Sequence, residues 1–265
     1  MARGAIRAGI GGWNFEPWRG VFYPGGLKQA EELAYAARHV TTIEINSTYY
    51  STQKPESFAK WAAAAPEGFK FAVKASRFCT NRRELGGGGE GIEKFIGQGL
   101  TELGDKLGPI LWQLMGTKKF DPIDIEAFFK LLPRERDGIA LNHVIEPRHE
   151  SFLVPEFVQM CRRYGVAICL AEHGTYPMIA DVTGDVVYAR LQVGSDACET
   201  CYPPEDLDKW AERFRVYAEG GVPGDLPRVE SLHAPGEKPR DVYVFFIHEG
   251  KVRAPAGAME LIKRL

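Results

Sequence analysis

The sequence has no apolar run of the roughly 18 residues that a membrane-spanning helix requires, so no membrane partner is expected. It has no surplus of either charge. Lys and Arg number 33 against 35 Asp and Glu, a net of −2, which argues against a generally basic nucleic-acid coat but leaves a local basic patch open. A disulfide framework is missing as well: Cys79, Cys161, Cys169, Cys198 and Cys201 are odd in number and unevenly spaced. They point to a reduced, cytoplasmic chain. Near the start, Arg3 and Arg7 are not followed by a continuous apolar segment, so the region does not read as a signal peptide. The glycines after the first apolar run, Gly9, Gly11 and Gly12, lead into Trp13 without Gly-x-Gly-x-x-Gly spacing, which argues against a nucleotide fingerprint. No His-x-His or His-Glu-x-x-His spacing marks a metal shell. Cys198-Glu-Thr-Cys201 has no second pair, and Cys79 is the one further candidate ligand, so two thiols in a polar loop is the preferred reading.

What is present is an alternation. Apolar runs of strand length occupy 5–11, 42–46, 69–75, 109–114, 140–146, 166–171, 186–191 and 242–247, most of them rich in Val, Ile, Phe or Tyr. Helical patterns lie between them. Asp121-Pro122 supplies an N-cap and a first-turn proline, Ile125, Phe128, Phe129 and Leu132 form the apolar face that follows, and Pro133 ends it. Pro155 opens another helix, with Phe157, Val158 and Cys161 on one face, closed by Gly165. Leu207, Trp210, Ala211 and Phe214 share a face, as do Ala258, Leu261, Ile262 and Leu265. Eight strand–helix units imply parallel pairing with right-handed crossovers, and eight closing on themselves predict an α/β fold, the (β/α)8 TIM barrel. With no repeat and no linker in view, residues 1–265 are expected to form one domain. The segment 85–91, with four consecutive glycines, is expected to be mobile, and 219–240, rich in Gly and Pro, to be a long loop.

In such a barrel the chemistry sits at the carboxyl ends of the strands. Alternation along the second run turns Ile43 and Ile45 outward and Glu44 and Asn46 into the lumen. The same reasoning places Lys74 at the end of the third strand, Gln113 at the fourth, Glu146 and Arg148 at the fifth with His149 next, and Glu172 and His173 at the sixth. Arg190 falls near the end of the seventh, and His248 just after the eighth. Charges inside apolar runs must pair or meet a ligand. Lys74, Arg148 and Arg190 are therefore expected to hold a small anionic, phosphate- or carboxylate-bearing substrate. Glu44 or Glu146 would move protons, and His149 would assist. Trp13, Asn46, Tyr49 and Gln113 complete the expected binding set. A structural alternative is that these charges neutralise one another with no ligand at all. Glu146, His149, Glu172 and His173 are metal-capable, but the spacing assigns no metal and the cofactor stays open. Trp13, Phe15, Trp18, Phe22, Tyr23, Tyr49 and Tyr50 form either a stacking platform or a roof over the barrel.

These same segments carry a family resemblance that covers essentially the whole chain. They are Gly11-Gly12-Trp13 with Trp18-Arg19-Gly20-Val21-Phe22-Tyr23-Pro24, Ile43-Glu44-Ile45-Asn46-Ser47-Thr48-Tyr49-Tyr50, and Phe69-Lys70-Phe71-Ala72-Val73-Lys74. Leu103-Gly104-Asp105-Lys106-Leu107-Gly108-Pro109, Glu146-Pro147-Arg148-His149-Glu150-Ser151-Phe152 and Val187-Tyr188-Ala189-Arg190-Leu191 complete the set. The chain resembles the YecE-like proteins, domain-of-unknown-function family 72. The resemblance implies a TIM barrel, and analogy of fold sets that family near endonuclease IV-like and sugar-isomerase barrels. The chain departs from the common pattern at Gln113-Leu114-Met115, where many members read Gln-Leu-Pro. It departs again at Ile247-His248-Glu249, where many carry an Asn-Asn-Asp run.

The leading expectation is thus an enzyme with an anion-binding mouth, hydrolytic chemistry included. One alternative is a nucleic-acid-binding protein using Arg77, Arg82 and Arg83 with the aromatics. Others are an endonuclease IV-like metal-dependent phosphodiesterase and a non-catalytic ligand-binding barrel.

Overall fold

The computed structural model describes residues 3–230 and 238–265. Residues 231–237, part of the expected long loop, lie outside the described residues. The strands are β1 (Ile6–Gly11), β2 (Thr42–Ile45), β3 (Lys70–Lys74), β4 (Leu107–Gln113), β5 (Glu135–Arg136), β6 (Ile139–Ala140), β7 (His143–Glu146), β8 (Ala167–Glu172), β9 (Val186–Val193) and β10 (Asp241–Glu249). Eight of them, all but β5 and β6, close into a parallel barrel in which β1 meets both β2 and β10. β5 and β6 form a two-stranded antiparallel ribbon, so the expected run 140–146 is divided between that ribbon and β7.

The helix signals read from the sequence act as expected. Asp121 accepts the Ile123 and Asp124 N–H groups at 3.0 and 3.3 Å and starts the helix Pro122–Leu131. Gly165, with φ 59°, closes Pro155–Tyr164. The last helix is Ala254–Ile262, so Leu265 lies beyond its end.

Two expectations need correction. The strand–helix alternation fails once, between β8 and β9, where 173–185 carries no helix. Gly174, Pro177 and Gly184 punctuate these thirteen residues, and no apolar face of helical period runs through them. In place of a helix, buried residues 179–183 are covered by residues 227–230. Ala180 donates its N–H to the Pro227 carbonyl, and the Asp181 carboxylate accepts the Val229 and Glu230 N–H groups. The glycine run after β3 is also not a free loop. Leu85 and Gly86 donate to the two Asp124 carboxylate oxygens, and Gly89 already begins the helix Gly89–Ile96.

Alternation along the strands sorts the core. Residues such as Ile10, Ile43, Val73 and Trp112 pack outward against the helices, while Ala72, Leu111, Val144, Cys169, Tyr188 and Phe245 fill the lumen. β1 presents glycine to the lumen side. A Cβ at Gly9 would lie 1.7 Å from the Thr42 carbonyl oxygen, so only glycine lets β1 close against β2 there. Above this apolar plug, toward the carboxyl ends of the strands, the lumen turns polar.

Candidate anion site at the barrel mouth

The polar layer follows from register. Pairing sets Gly11 beside Glu44, Gln113 beside Glu146, and both Phe245 and Ala171 beside Arg190. Residues far apart in sequence therefore meet at one height. Arg190 spans the lumen, with Nη1 2.6 Å from Glu146 Oε2 and Nη2 3.1 Å from Glu44 Oε1. Glu146 also accepts from Arg148 at 3.1 and 3.2 Å and from Gln113 Nε2 at 2.8 Å. Tyr188 donates its hydroxyl to Glu44 at 2.7 Å. Both carboxylates are wholly buried. Burial alone would raise the Glu146 carboxyl, but the charges of Arg190 and Arg148 and the Gln113 hydrogen bond outweigh it and pull it down to about 2.

The mouth above this layer is a cavity of about 660 Å³. Trp13, Phe15, Trp18 and Tyr50 form an aromatic side, and Lys74, Arg148, Arg190 and Lys251 bring four cations. Among the described residues no Asp or Glu lines it. Lys251 is fixed from two directions: Trp18 donates its indole N–H to the Lys251 carbonyl, and the Lys251 Nζ lies 4.2 Å from the centre of the Phe15 ring. Lys74 Nζ lies 4.2 Å from the centre of the Tyr49 ring. Burial, reinforced by the Arg190 charge and opposed by Glu44 and Glu146, lowers the Lys74 ammonium to about 8. Among the described residues, the Asn46 Oδ1, Gln192 Nε2 and Arg190 Nε atoms are buried without a hydrogen-bond partner, and all three residues line the cavity. Such atoms cost free energy unless something fills the space beside them.

The sequence-derived set divides. Trp13, Asn46, Lys74, Gln113, Arg148 and Arg190 share the cavity wall. Tyr49 does not line it but lies under Lys74, and its hydroxyl accepts from Asn81. Glu44 and Glu146, expected as proton movers, sit beneath the floor as counter-ions. Arg190 engages both carboxylates, and Arg148 engages Glu146 as well. His149 is not among the residues that line the mouth. Its Nδ1 accepts the Ser151 N–H at 3.1 Å and stands 2.9 Å from the Ser151 hydroxyl, capping the turn Glu150–Phe152. Glu172 also departs from expectation. Cys169 is a lumen residue, so Ala171 shares its side and Glu172 faces the helices, where it accepts from Tyr202 at 2.6 Å and Trp210 at 3.2 Å. His173 stacks on Tyr176 at 3.9 Å. The metal-capable residues are thus dispersed, and among the described residues no group of three or more His, Cys, Asp or Glu could hold a metal ion.

Of the aromatics, Tyr23 is buried against Trp18, edge to face, and does not line the cavity, whereas Trp18 does. Cys198 and Cys201 are free thiols, and Cys79 is free and buried elsewhere. Three residues were missed in the sequence. Tyr188 and Gln192 share the parity of Arg190 on β9, so alternation carried one residue beyond 191 would have found Gln192. Lys251 lies in the loop after β10, where no periodicity points to it. His248 also reaches the cavity, from a bulge with φ 70° where the pairing of β10 with β9 shifts.

Fold and site together define a closed eight-stranded parallel barrel with a cationic mouth seated on a buried ion-pair layer. The chain belongs to the family described as protein of unknown function DUF72, whose model matches residues 7–265. It is 27% identical over 150 residues to UPF0759 protein YecE of Escherichia coli K12, a match covering 56% of this chain and 50% of that protein. The chain thus aligns with about half the length of the curated relatives it matches. Among solved structures, a DUF72 family protein from Thermotoga maritima superposes with a TM-score of 0.72 at 22% identity, covering 98% of each chain. One from Enterococcus faecalis V583 gives 0.70 at 19% identity, covering 98% of this chain and 95% of the other. At these identities the likeness is one of fold. Among the described residues, no helix is long and apolar enough to cross a membrane.

Proposed function

We propose that the barrel mouth binds a small molecule carrying a phosphate or carboxylate group. The observation that carries this reading is the lining itself: among the described residues, four cations and no carboxylate surround one cavity. The ion-pair layer explains how such a lining persists. Glu44 and Glu146 neutralise Arg190 and Arg148 from below, while Lys74 and Lys251 have no carboxylate partner among the described residues. Arg148 is doubly held, by Glu146 and by the Tyr176 ring 4.5 Å away, which fixes its position before a ligand arrives. The aromatic side supplies apolar contact for the rest of the molecule. The free thiols accord with a cytoplasmic setting.

Calorimetric titration with inorganic phosphate tests this. The wild type is expected to bind saturably, and more weakly as salt rises. Lys74→Met and Arg148→Met are each expected to weaken binding by about ten- to a hundredfold, the value of one charge-assisted contact. No saturable heat, or full affinity in both variants, would overturn the assignment.

A further inference from the structure

Lys74 differs from the two guanidiniums of the lumen. Arg190 and Arg148 each hold a carboxylate, whereas Lys74 Nζ has no hydrogen bond or ion pair among the described residues. Its contact is with the Tyr49 ring, and it opens on the cavity. An ammonium, unlike a guanidinium, can give up its proton. An amine crowded by permanent cations and facing a substrate-sized space is the setting in which lysine becomes a nucleophile.

We propose that Lys74 captures the carbonyl carbon of a small aldehyde or ketone bearing a carboxylate or phosphate, forming a protonated imine. The proposal rests on the anion-binding reading: Arg148 and Lys251 hold the acid group while the carbonyl meets Nζ. The neutral amine's lone pair forms the C–N bond, the carbonyl π pair moves to oxygen, and that oxygen takes a proton from water. The attacking nitrogen, now an ammonium, returns one proton to the hydroxide so formed, which leaves a neutral carbinolamine; its hydroxyl then takes a proton from solvent and leaves as water while the regained nitrogen lone pair closes the C=N bond. No oxidant or reductant is consumed. The unpartnered Asn46 Oδ1 and Gln192 Nε2 offer an acceptor and a donor to the intermediate hydroxyl. The groups setting the Lys74 charge are Arg190, Arg148, Glu44 and Glu146. At pH 7 their combined effect, with burial, raises the neutral fraction on the order of a hundredfold above that of an exposed lysine.

The test uses glyoxylate with cyanoborohydride on the wild-type protein at pH 7, with modified lysines mapped by mass spectrometry. The expected result is carboxymethylation of Lys74 on the order of a hundredfold faster than of exposed lysines, slowed by inorganic phosphate. Labelling of Lys74 no faster than that of Lys251 or the exposed lysines would overturn the proposal. A parallel phosphate titration separates the two ideas. Phosphate binding without preferential labelling leaves the anion site standing and removes the imine. Preferential labelling that phosphate neither binds against nor slows removes the anion site and keeps a reactive lysine. Neither result being positive removes both.

Discussion

Replacing Arg190 with methionine probes the layer on which the mouth rests. The side chain is almost fully buried and bridges Glu44 and Glu146 at 3.1 and 2.6 Å. Methionine restores much of the volume but none of the charge. Glu146 would retain Arg148 and Gln113, while Glu44 would keep the Tyr188 hydroxyl. An uncompensated buried charge of this kind costs about 3–5 kcal/mol, a large share of the 5–15 kcal/mol typical of a domain. Urea denaturation at pH 7.5 should show a deficit of about 3–5 kcal/mol. A deficit under about 1 kcal/mol would refute the view that Arg190 neutralises this layer.

Other expectations follow from single sites. His143 accepts from the Trp112 indole at 3.1 Å and its Nε2 stands 2.7 Å from the Pro133 carbonyl, and burial lowers it to about 4. Because the folded value is depressed, its contribution is complete above about 6.5 and is lost as pH falls toward 4, roughly 3 kcal/mol in all. Thermal melts of His143→Asn against wild type across that window should differ in slope, and parallel curves would contradict the assignment. Gly9→Ala should destabilise by more than about 3 kcal/mol or prevent folding, since its Cβ would meet the Thr42 carbonyl at 1.7 Å; a soluble variant with wild-type melting would count against the barrel seam described. Glu172→Ala should lower stability by about 1–3 kcal/mol through the stranded Tyr202 and Trp210 donors, yet leave phosphate affinity unchanged, because it faces the helices. Impaired phosphate binding in that variant would place it in the mouth after all.

Much of the barrel was legible because period-2 runs and helix caps are local signals. Asp121, Pro155 and Gly165 act where the sequence places them, and Glu44, Lys74, Gln113, Glu146 and Arg190 converge as alternation requires. The failures share a cause. Glu172 and His173 were both placed at the end of the sixth run, yet neighbouring residues of a strand face opposite ways, and β8 continues through Glu172 with its side chain on the helix side. The missing helix after β8 depends on residues 227–230, some fifty positions away, covering 179–183. The roles of Glu44 and Glu146 were also beyond the sequence. Which carboxylate meets solvent and which lies under a guanidinium depends on heights across the barrel, a property of register among strands. Lys251 could be found only by its contacts with Trp18 and Phe15.

The most direct measurement is a crystal soaked in tungstate, with the anion located by its anomalous scattering. The account predicts a peak in the mouth, within hydrogen-bonding reach of Lys74 and Arg148. Peaks confined to the outer surface or the opposite end of the barrel, with the mouth holding only water, would contradict it.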